Sequence, residues 1–171
     1  YGAKAYETET GTAVTVLGWD PAAAEGQFWG GFAPNDAVGK SIAASQLEQG
    51  ADVLFPVGGD QFGAGIEAIK EAGDNAVMIG VDKDIALTSP EYADYIITSA
   101  EKRMGAATFD IIEDYAVNGN FTGDYYMGDL ANEGTDISPF YAFDDKIDQA
   151  IKDRLAELKA GIIDGSIDPL A

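Results

Sequence analysis

Three short polar segments each follow a run of residues that is typical of a buried strand. They are Gly-Gly-Asp-Gln at 58–61, Asp-Lys-Asp at 82–84 and Ser-Ala-Glu-Lys at 99–102. In open α/β sheets, ligands bind beyond the carboxyl ends of the parallel strands. A fourth segment, the aromatic loop that ends at Phe32, is expected to reach the same edge. Together the four segments predict a ligand cleft along one edge of a sheet.

Asp82 and Lys102 carry the chemistry that is most specific in this cleft. A carboxylate at the end of a buried strand can accept hydrogen bonds from two neighbouring hydroxyls, as acidic residues do with ribose. Lys102 can pair with Asp82 or donate to the same hydroxyls. The alternative is that both are solvated side chains, at a strand end and at a helix start. Likewise, Phe32 and Trp29 either stack on a planar ligand or pack within their loop.

Gly58 and Gly59, followed by Gly63 and Gly65, superficially resemble a phosphate-binding loop. The segment lacks the Gly-Lys-Ser/Thr ending of such a loop, and it lacks a complete dinucleotide fingerprint. Glycine is also the usual residue where the backbone needs a positive φ. The favoured interpretation is therefore a tight strand-to-helix turn, and the alternative is a close backbone approach to a neutral ligand.

The sequence contains no cysteine and no histidine. This composition excludes Cys-His and Ser-His-Asp nucleophilic catalysis as well as thiolate and imidazole zinc sites. A small α/β enzyme using Asp60, Asp82 and Lys102 is an alternative, but no nucleophile pattern supports it. The Asp82-Lys83-Asp84 segment lacks the spacing of a calcium loop. We therefore predict no catalytic residue, no metal site and no cofactor.

The chain is strongly acidic. Its 171 residues include 30 Asp and Glu against 10 Lys and Arg, a formal charge of −20. This balance argues against binding to nucleic acid or to an anionic membrane, because both require clustered cations. An acidic surface of this size is typical of an exported or salt-adapted protein.

The hydrophobic pattern predicts a parallel sheet with helices on both faces. Continuous apolar runs that alternate with helical segments are typical of buried parallel strands in βαβ units. Pro56 is expected to make its strand irregular, because proline cannot donate to a sheet. The predicted strands are 13–17, 53–57, 77–81 and 95–98, and the predicted helices are 62–72 and one that Asn35 or Asp36 caps and that runs to about residue 49.

The alternation changes after Ser99. The pattern predicts a long helix over 100–117, an antiparallel pair formed by 122–130 and 135–140, and a last helix over 145–163. Apolar residues lie on two lines of the helix 100–117, whereas a surface helix shows one apolar face. This helix is therefore expected either to expose an apolar patch or to be covered by something outside the chain, including another copy.

Several motifs in order resemble one family. They are "GGFAPNDAVGKS", "QGADVLFPVGG", "GAGIEAIKEAG", "IGVDKD", "YIITSAEKRM" and "GDYYMGDLANEGTDISPF". The resemblance is to the basic membrane protein family of substrate-binding lipoproteins, the nucleoside receptors of ABC importers, and it covers nearly the whole chain. It implies a type I periplasmic-binding-protein fold with two α/β lobes, and a purine nucleoside bound in the cleft between them.

The resemblance also implies roles for individual residues. Phe32 matches the aromatic residue that stacks on the base, and Gly58 and Gly59 match the glycines where the backbone approaches the ligand. Asp82 and Lys102 match the acid and the lysine that hold the ribose. Asp60 stands where members often have a small residue, so it is included as a candidate ligand contact that departs from the family pattern.

Family members are roughly twice as long as this chain. The resemblance therefore implies that residues 1–171 form one lobe, the carboxy-terminal one, with the helix 100–118 packing on the amino-terminal lobe. It implies a non-catalytic, extracytoplasmic lipoprotein that presents its ligand to an ABC permease. Two alternatives remain: the same fold binding another small ligand, such as a sugar, another nucleoside or a flavin-like ring, or a ligand-sensing module of a regulator.

Overall fold

The computed structural model describes residues 1–33, 36–121 and 123–170, and its centre is a four-stranded sheet. Three neighbouring strands of this sheet run parallel, and the fourth pairs antiparallel at one edge. A separate two-stranded hairpin lies in the aromatic loop. The strands are β1 (Trp19–Asp20) and β2 (Glu25–Gly26) in the hairpin, and β3 (Val53–Leu54), β4 (Val77–Asp82), β5 (Ile96–Lys102) and β6 (Thr135–Ile137) in the central sheet.

Helices flank the central sheet, and the predicted α/β class is confirmed. Asp36 begins the second helix, because its carboxylate accepts a hydrogen bond from the Val38 N–H at 2.7 Å. Asn35, the other predicted cap, lies outside the described residues. The helices are α1 (Gly2–Thr10), α2 (Ala37–Glu48), α3 (Phe62–Glu71), α4 (Ile85–Thr88), α5 (Met104–Glu113) and α6 (Gln149–Asp164), with 3-10 turns at 59–61, 90–95 and 141–146.

The hydrophobic core lies between the parallel strands and the helices α2 and α3. The strands contribute Leu54, Met78 and Ile96, and α3 contributes its buried face. The core also fixes the start of α4 through Ile85. No helix in the described ranges is both long and apolar enough to cross a membrane. The buried apolar residues that form this cluster are Ala43, Leu54, Phe62, Ile66, Ala68, Ile69, Ala76, Met78, Ile85, Ala86 and Ile96.

The predicted strand 13–17 is wrong. This run pairs with no strand, and the Val14 N–H donates instead to Glu7 Oε1 at 2.8 Å. Its neighbour in a parallel sheet would be β3, which ends at Leu54, two residues before Pro56. The predicted strand 53–57 is therefore confirmed only at 53–54: the chain leaves the sheet before Pro56, and the remaining edge is too short to pair a further strand.

The region after Ser99 also differs from the prediction. Residues 100–102 are not helical, because they complete β5 and pair with β6 through Ala100–Ile137 and Glu101–Asp136. The helix therefore starts at Met104, and a π-helical turn over 114–118 ends it. The predicted antiparallel pair is wrong, because 123–129 form no strand and β6 pairs with β5. Thr122, the first residue of that pair, lies outside the described residues.

The last helix is confirmed, starting at Gln149, and two polar contacts hold it in place. Lys159 Nζ lies 2.6 Å from Asp136 Oδ2 in β6, and Arg103 approaches the same carboxylate at 3.5 Å. Near its amino terminus, Arg154 makes two parallel hydrogen bonds of 2.8 Å to Glu9 of α1. These contacts join the two ends of the chain and tie the sheet edge to α6.

Candidate functional site

Asp82 and Lys102 meet at the carboxyl ends of two neighbouring parallel strands. The last residue pair in the register of β4 and β5 is Asp82–Glu101, so both strands end at the same level. Lys102 Nζ lies 3.0 Å from Asp82 Oδ1, and the two side chains are 62% and 42% exposed. The sequence left open whether these residues pair or are solvated separately, and the structure confirms the pair.

Asp60 forms a second ion pair at this edge. It lies in the 3-10 turn that follows β3, and its Oδ1 is 2.8 Å from Nζ of Lys83. The same ammonium group lies 6.0 Å from the centre of the Phe62 ring. A shallow cavity of about 200 Å³ opens between these side chains and Tyr92. This edge therefore carries two ion pairs, Asp82–Lys102 and Asp60–Lys83, and each joins residues at or beyond the carboxyl ends of two different strands.

Gly58 and Gly59 form the tight strand-to-helix turn that the sequence favours. Gly59 has a φ of +58°, and a Cβ on Gly58 would lie 2.4 Å from Oε1 of Gln61. A larger residue at Gly58 would therefore displace the end of the Gln61 side chain, and one at Gly59 is disfavoured by its backbone. The approach of this turn to a ligand stays a prediction.

The aromatic loop is attached to the glycine turn. Gln61 is buried, and its Nε2 donates a hydrogen bond of 2.6 Å to the carbonyl oxygen of Gly31. Trp29 packs within the fold, since its ring occupies the space that a Cβ on Gly39 of α2 would take. Phe32 is 79% exposed and is therefore free to stack on a ligand. Trp29 is thus a packing residue, whereas Phe32 is exposed.

An apolar cavity of about 1330 Å³ lies beside Phe32. Its walls are the segment 12–19, the aromatic loop, α2 and the residues 53–57. Asp82, Lys102 and the two glycines are not part of its described lining. The structure therefore brings Asp82 to Lys102 and Asp60 to Lys83, and it places Phe32 on the wall of this separate cavity.

Tyr141 is a residue at this edge that the sequence analysis missed. Its hydroxyl donates a short hydrogen bond to Asp84 Oδ2, and this bond, with partial burial and the charge of Asp84, raises the pKa of Tyr141 to about 12. The partners are 57 residues apart, and no spacing rule joins them. The sequence feature that pointed to this contact is the polar segment 82–84, since all three of its side chains have partners at this edge.

The arrangement suits binding better than catalysis. Asp60 and Asp82 are each about half exposed and paired with a lysine, so neither is a desolvated acid or base. An exposed pair can exchange its mutual contact for hydrogen bonds to a ligand. Within the described ranges, no three Asp or Glu side chains come close enough together to hold a metal ion.

The model of the Bmp family, described as ABC transporter substrate-binding protein PnrA-like, matches residues 27–165. The chain is also 30% identical over 155 residues to the ABC transporter nucleoside-binding protein BmpA of Lactococcus lactis. That alignment covers 82% of this chain and 42% of the relative.

Two solved structures have the same fold. An ABC transporter solute-binding protein from Aeropyrum pernix aligns with a TM-score of 0.77 and 25% identity, over 98% of this chain and 51% of its own. A transcriptional activator of the comK gene from Bacillus halodurans aligns with a TM-score of 0.67 over 84% of this chain and 47% of its own. At 19% identity this second likeness shows the fold alone.

The chain spans about half the length of these relatives. The family model nevertheless covers most of the chain, including the glycine turn, the Asp82–Lys102 pair and the helices α2 to α6. The sequence motifs that resemble the basic membrane proteins lie on the elements that build this edge. The chain therefore belongs to the Bmp family of PnrA-like ABC transporter substrate-binding proteins.

Proposed function

We propose that this chain is the ligand-binding carboxy-terminal lobe of a two-lobe receptor for a purine nucleoside. The Asp82–Lys102 pair carries this proposal. It combines an acceptor and a donor 3.0 Å apart at the exposed edge of the sheet. Two neighbouring ribose hydroxyls need such a combination, because each hydroxyl both donates and accepts hydrogen bonds.

Phe32 supplies the second part of the site. An exposed phenyl ring beside the glycine turn offers a flat apolar face to a purine base. One ring covers only one face of the base, so the second lobe supplies the opposite wall in the intact receptor. The glycine turn 58–59 lets the backbone approach the ligand, and Asp60, held by Lys83, lies at its margin.

In this proposal the protein is not an enzyme. The intact receptor works outside the cytoplasmic membrane, held there as a lipoprotein, and delivers its ligand to an ABC permease. The family match and the likeness to a solute-binding protein support this role. The polar edge supports it too, because paired, half-exposed carboxylates favour reversible binding.

Helix α5 is proposed to face the second lobe. Both of its apolar lines are exposed: Met104 is 61%, Phe109 63% and Ile112 60% exposed. Large exposed apolar residues grouped along one helix are typical of an interaction site. We propose that the amino-terminal lobe covers it in the intact receptor, and that a chain lacking that lobe self-associates through it.

A thermal-shift panel on the full-length protein tests the proposed ligand class. Adenosine, guanosine and inosine are compared with uridine, ribose and glucose at equal concentration. A ligand that binds only the folded state raises the Tm. The proposal expects the largest increases with the purine nucleosides. An increase with a sugar alone, or with none of the six compounds, contradicts it.

A further inference from the structure

Asp82 lies at the tip of a strained turn. Its φ is +68°, and the N–H of Lys83 donates to the carbonyl oxygen of Val81 at 2.8 Å. A bond from residue i+2 to residue i around a central residue with positive φ defines a rare, strained γ-turn. Residues other than glycine keep such a conformation only where their surroundings hold them in it. The contacts around this turn therefore bear on how Asp82 is presented.

The inner side of the turn is held by buried groups. Ser99 is fully buried, and its Oγ accepts a hydrogen bond from the Ile85 N–H at 3.2 Å. A Cβ on Gly80 would lie 2.5 Å from that oxygen and 2.6 Å from the Ile85 side chain. The backbone just before and just after the turn is thus packed tightly against β5.

The outer side of the turn is held by Tyr141. Asp84 uses one carboxylate oxygen to cap α4, accepting from the Leu87 N–H at 3.1 Å, and the other to accept from the Tyr141 hydroxyl. Tyr141 also has a positive φ of +43°. One hydrogen bond therefore joins two strained segments that are far apart in the sequence.

We propose that Tyr141 is a positioning residue for the ligand: its hydrogen bond to Asp84 keeps the turn 81–83 strained and so presents the Asp82 carboxylate to two neighbouring hydroxyls of the ligand. This inference rests on the proposed nucleoside function. Tyr141 acts through the turn and does not itself contact the ligand. Removing the Tyr141 hydroxyl lets the turn relax, and the ligand then loses the part of its affinity that comes from its contacts with Asp82.

The test compares Tyr141→Phe with the unmodified full-length protein. The purine nucleoside that binds most tightly is titrated first, and then its 2′,3′-dideoxy counterpart, which lacks both hydroxyls. The inference predicts that Tyr141→Phe weakens the nucleoside about tenfold and the dideoxy compound less than about twofold. A merely structural role would weaken both ligands equally.

Tyr95→Phe is the matched control. It removes the same kind of bond, from a tyrosine hydroxyl to Asp74 Oδ1 at 3.0 Å, at the opposite end of β5 from the proposed ligand. It is expected to leave both affinities unchanged. Equal weakening of both ligands by Tyr141→Phe, or no weakening at all, overturns the inference. Absence of nucleoside binding by the unmodified protein overturns the proposed function itself, and the inference with it.

Asp84→Ser serves as a second variant should Tyr141→Phe not fold. Serine is a good helix cap, so it keeps the start of α4, but its side chain is too short to accept from Tyr141. The same selective loss for the nucleoside is expected. If Asp84→Ser keeps the wild-type ratio of affinities for the nucleoside and its dideoxy counterpart, the inference is overturned.

Discussion

At the scale of single residues, the proposed site consists of two lysine–carboxylate pairs and one exposed aromatic ring. The strand-end rule predicted where Asp82 and Lys102 meet, because parallel strands of equal register bring their carboxyl ends together. The rule could not predict that Lys83 pairs with Asp60 or that Tyr141 binds Asp84. Those partners come from different turns, whose positions depend on packing that the sequence does not show directly.

Asp82→Ala tests the residue that carries the proposed function. Removing the carboxylate leaves Lys102 without its partner and removes the acceptor for the ribose hydroxyls. We expect nucleoside affinity to fall by more than about 1 kcal/mol in calorimetric titration of the intact receptor. Asp94→Ala is the control and should change little. Wild-type affinity of Asp82→Ala would remove the ribose assignment.

Phe32→Ala tests the stacking role separately. The phenyl ring is 79% exposed, so its removal costs the fold little, whereas loss of stacking on a base is worth about 1–3 kcal/mol. Affinity for a purine nucleoside should fall, and urea unfolding without ligand should be nearly unchanged. Trp29→Ala is expected to behave differently, destabilising the fold because the indole packs on α2. Unchanged affinity in Phe32→Ala would contradict the stacking role.

At the scale of elements, the apolar pattern predicted the parallel strands and most helices but failed where pairing decides the outcome. The run 13–17 has the composition of a strand, yet β3 ends too early to pair with it. Residues 100–102 have a helical composition, yet all three pair with β6, and Ala100 and Glu101 pair with β4 as well. Local propensity cannot settle such cases, because a strand is stabilised by its neighbours.

Asp136 links β6 to α6 and predicts a pH-dependent stability. Partial burial alone would raise the pKa of Asp136, but the hydrogen bond from Lys159 and the Ile137 N–H, with the charges of Lys159 and Arg103, lowers it below 3.8. The folded pKa is therefore below the unfolded one. The stabilisation is present above the ordinary carboxyl pKa and is lost as the pH falls through the folded value.

Asp136→Asn should therefore lower the free energy of unfolding by about 1 kcal/mol at neutral pH, and by much less near pH 2. Urea unfolding at both pH values measures this difference. Asp144→Asn is the control, because Asp144 also pairs with a lysine, at 2.8 Å, but is 57% exposed. If Asp136→Asn lowers the free energy of unfolding equally at both pH values, the ion pair is not the cause of the loss.

The exposed apolar lines of α5 predict self-association of this chain in isolation. Light scattering of the 171-residue chain should show a mass that increases with concentration, because an exposed apolar patch is covered by a second copy. Phe109→Glu together with Ile112→Glu should restore the monomer. Val57→Glu, at a similarly exposed apolar residue away from α5, should not. A strict monomer at high concentration would contradict this interface.

At the scale of the whole molecule, the charge of −20 is the dominant feature. Only 10 basic residues are available to pair with 30 acidic ones, so repulsion between carboxylates opposes folding at low salt. Raising the salt concentration shortens the screening length from about 10 Å at 0.1 M to about 3 Å at 1 M. Because acidic groups outnumber basic ones three to one, the protein should be more stable at high salt concentration.

Thermal unfolding at increasing KCl tests this expectation. The Tm should rise by about 3 °C or more between 0.1 and 1 M, corresponding to roughly 1 kcal/mol for a chain of this size. The eleven ion pairs of the described residues act in the opposite direction, since salt weakens them. A Tm that falls with salt would mean that these pairs outweigh the repulsion.

Calorimetric titration of the intact receptor with a purine nucleoside and its 2′,3′-dideoxy counterpart tests the central claim most directly. If the Asp82–Lys102 pair holds the ribose, one nucleoside binds per receptor, and the dideoxy compound binds at least about tenfold more weakly. Equal affinity for the two compounds would contradict the assignment of this edge to ribose. Binding of neither compound would contradict the nucleoside function.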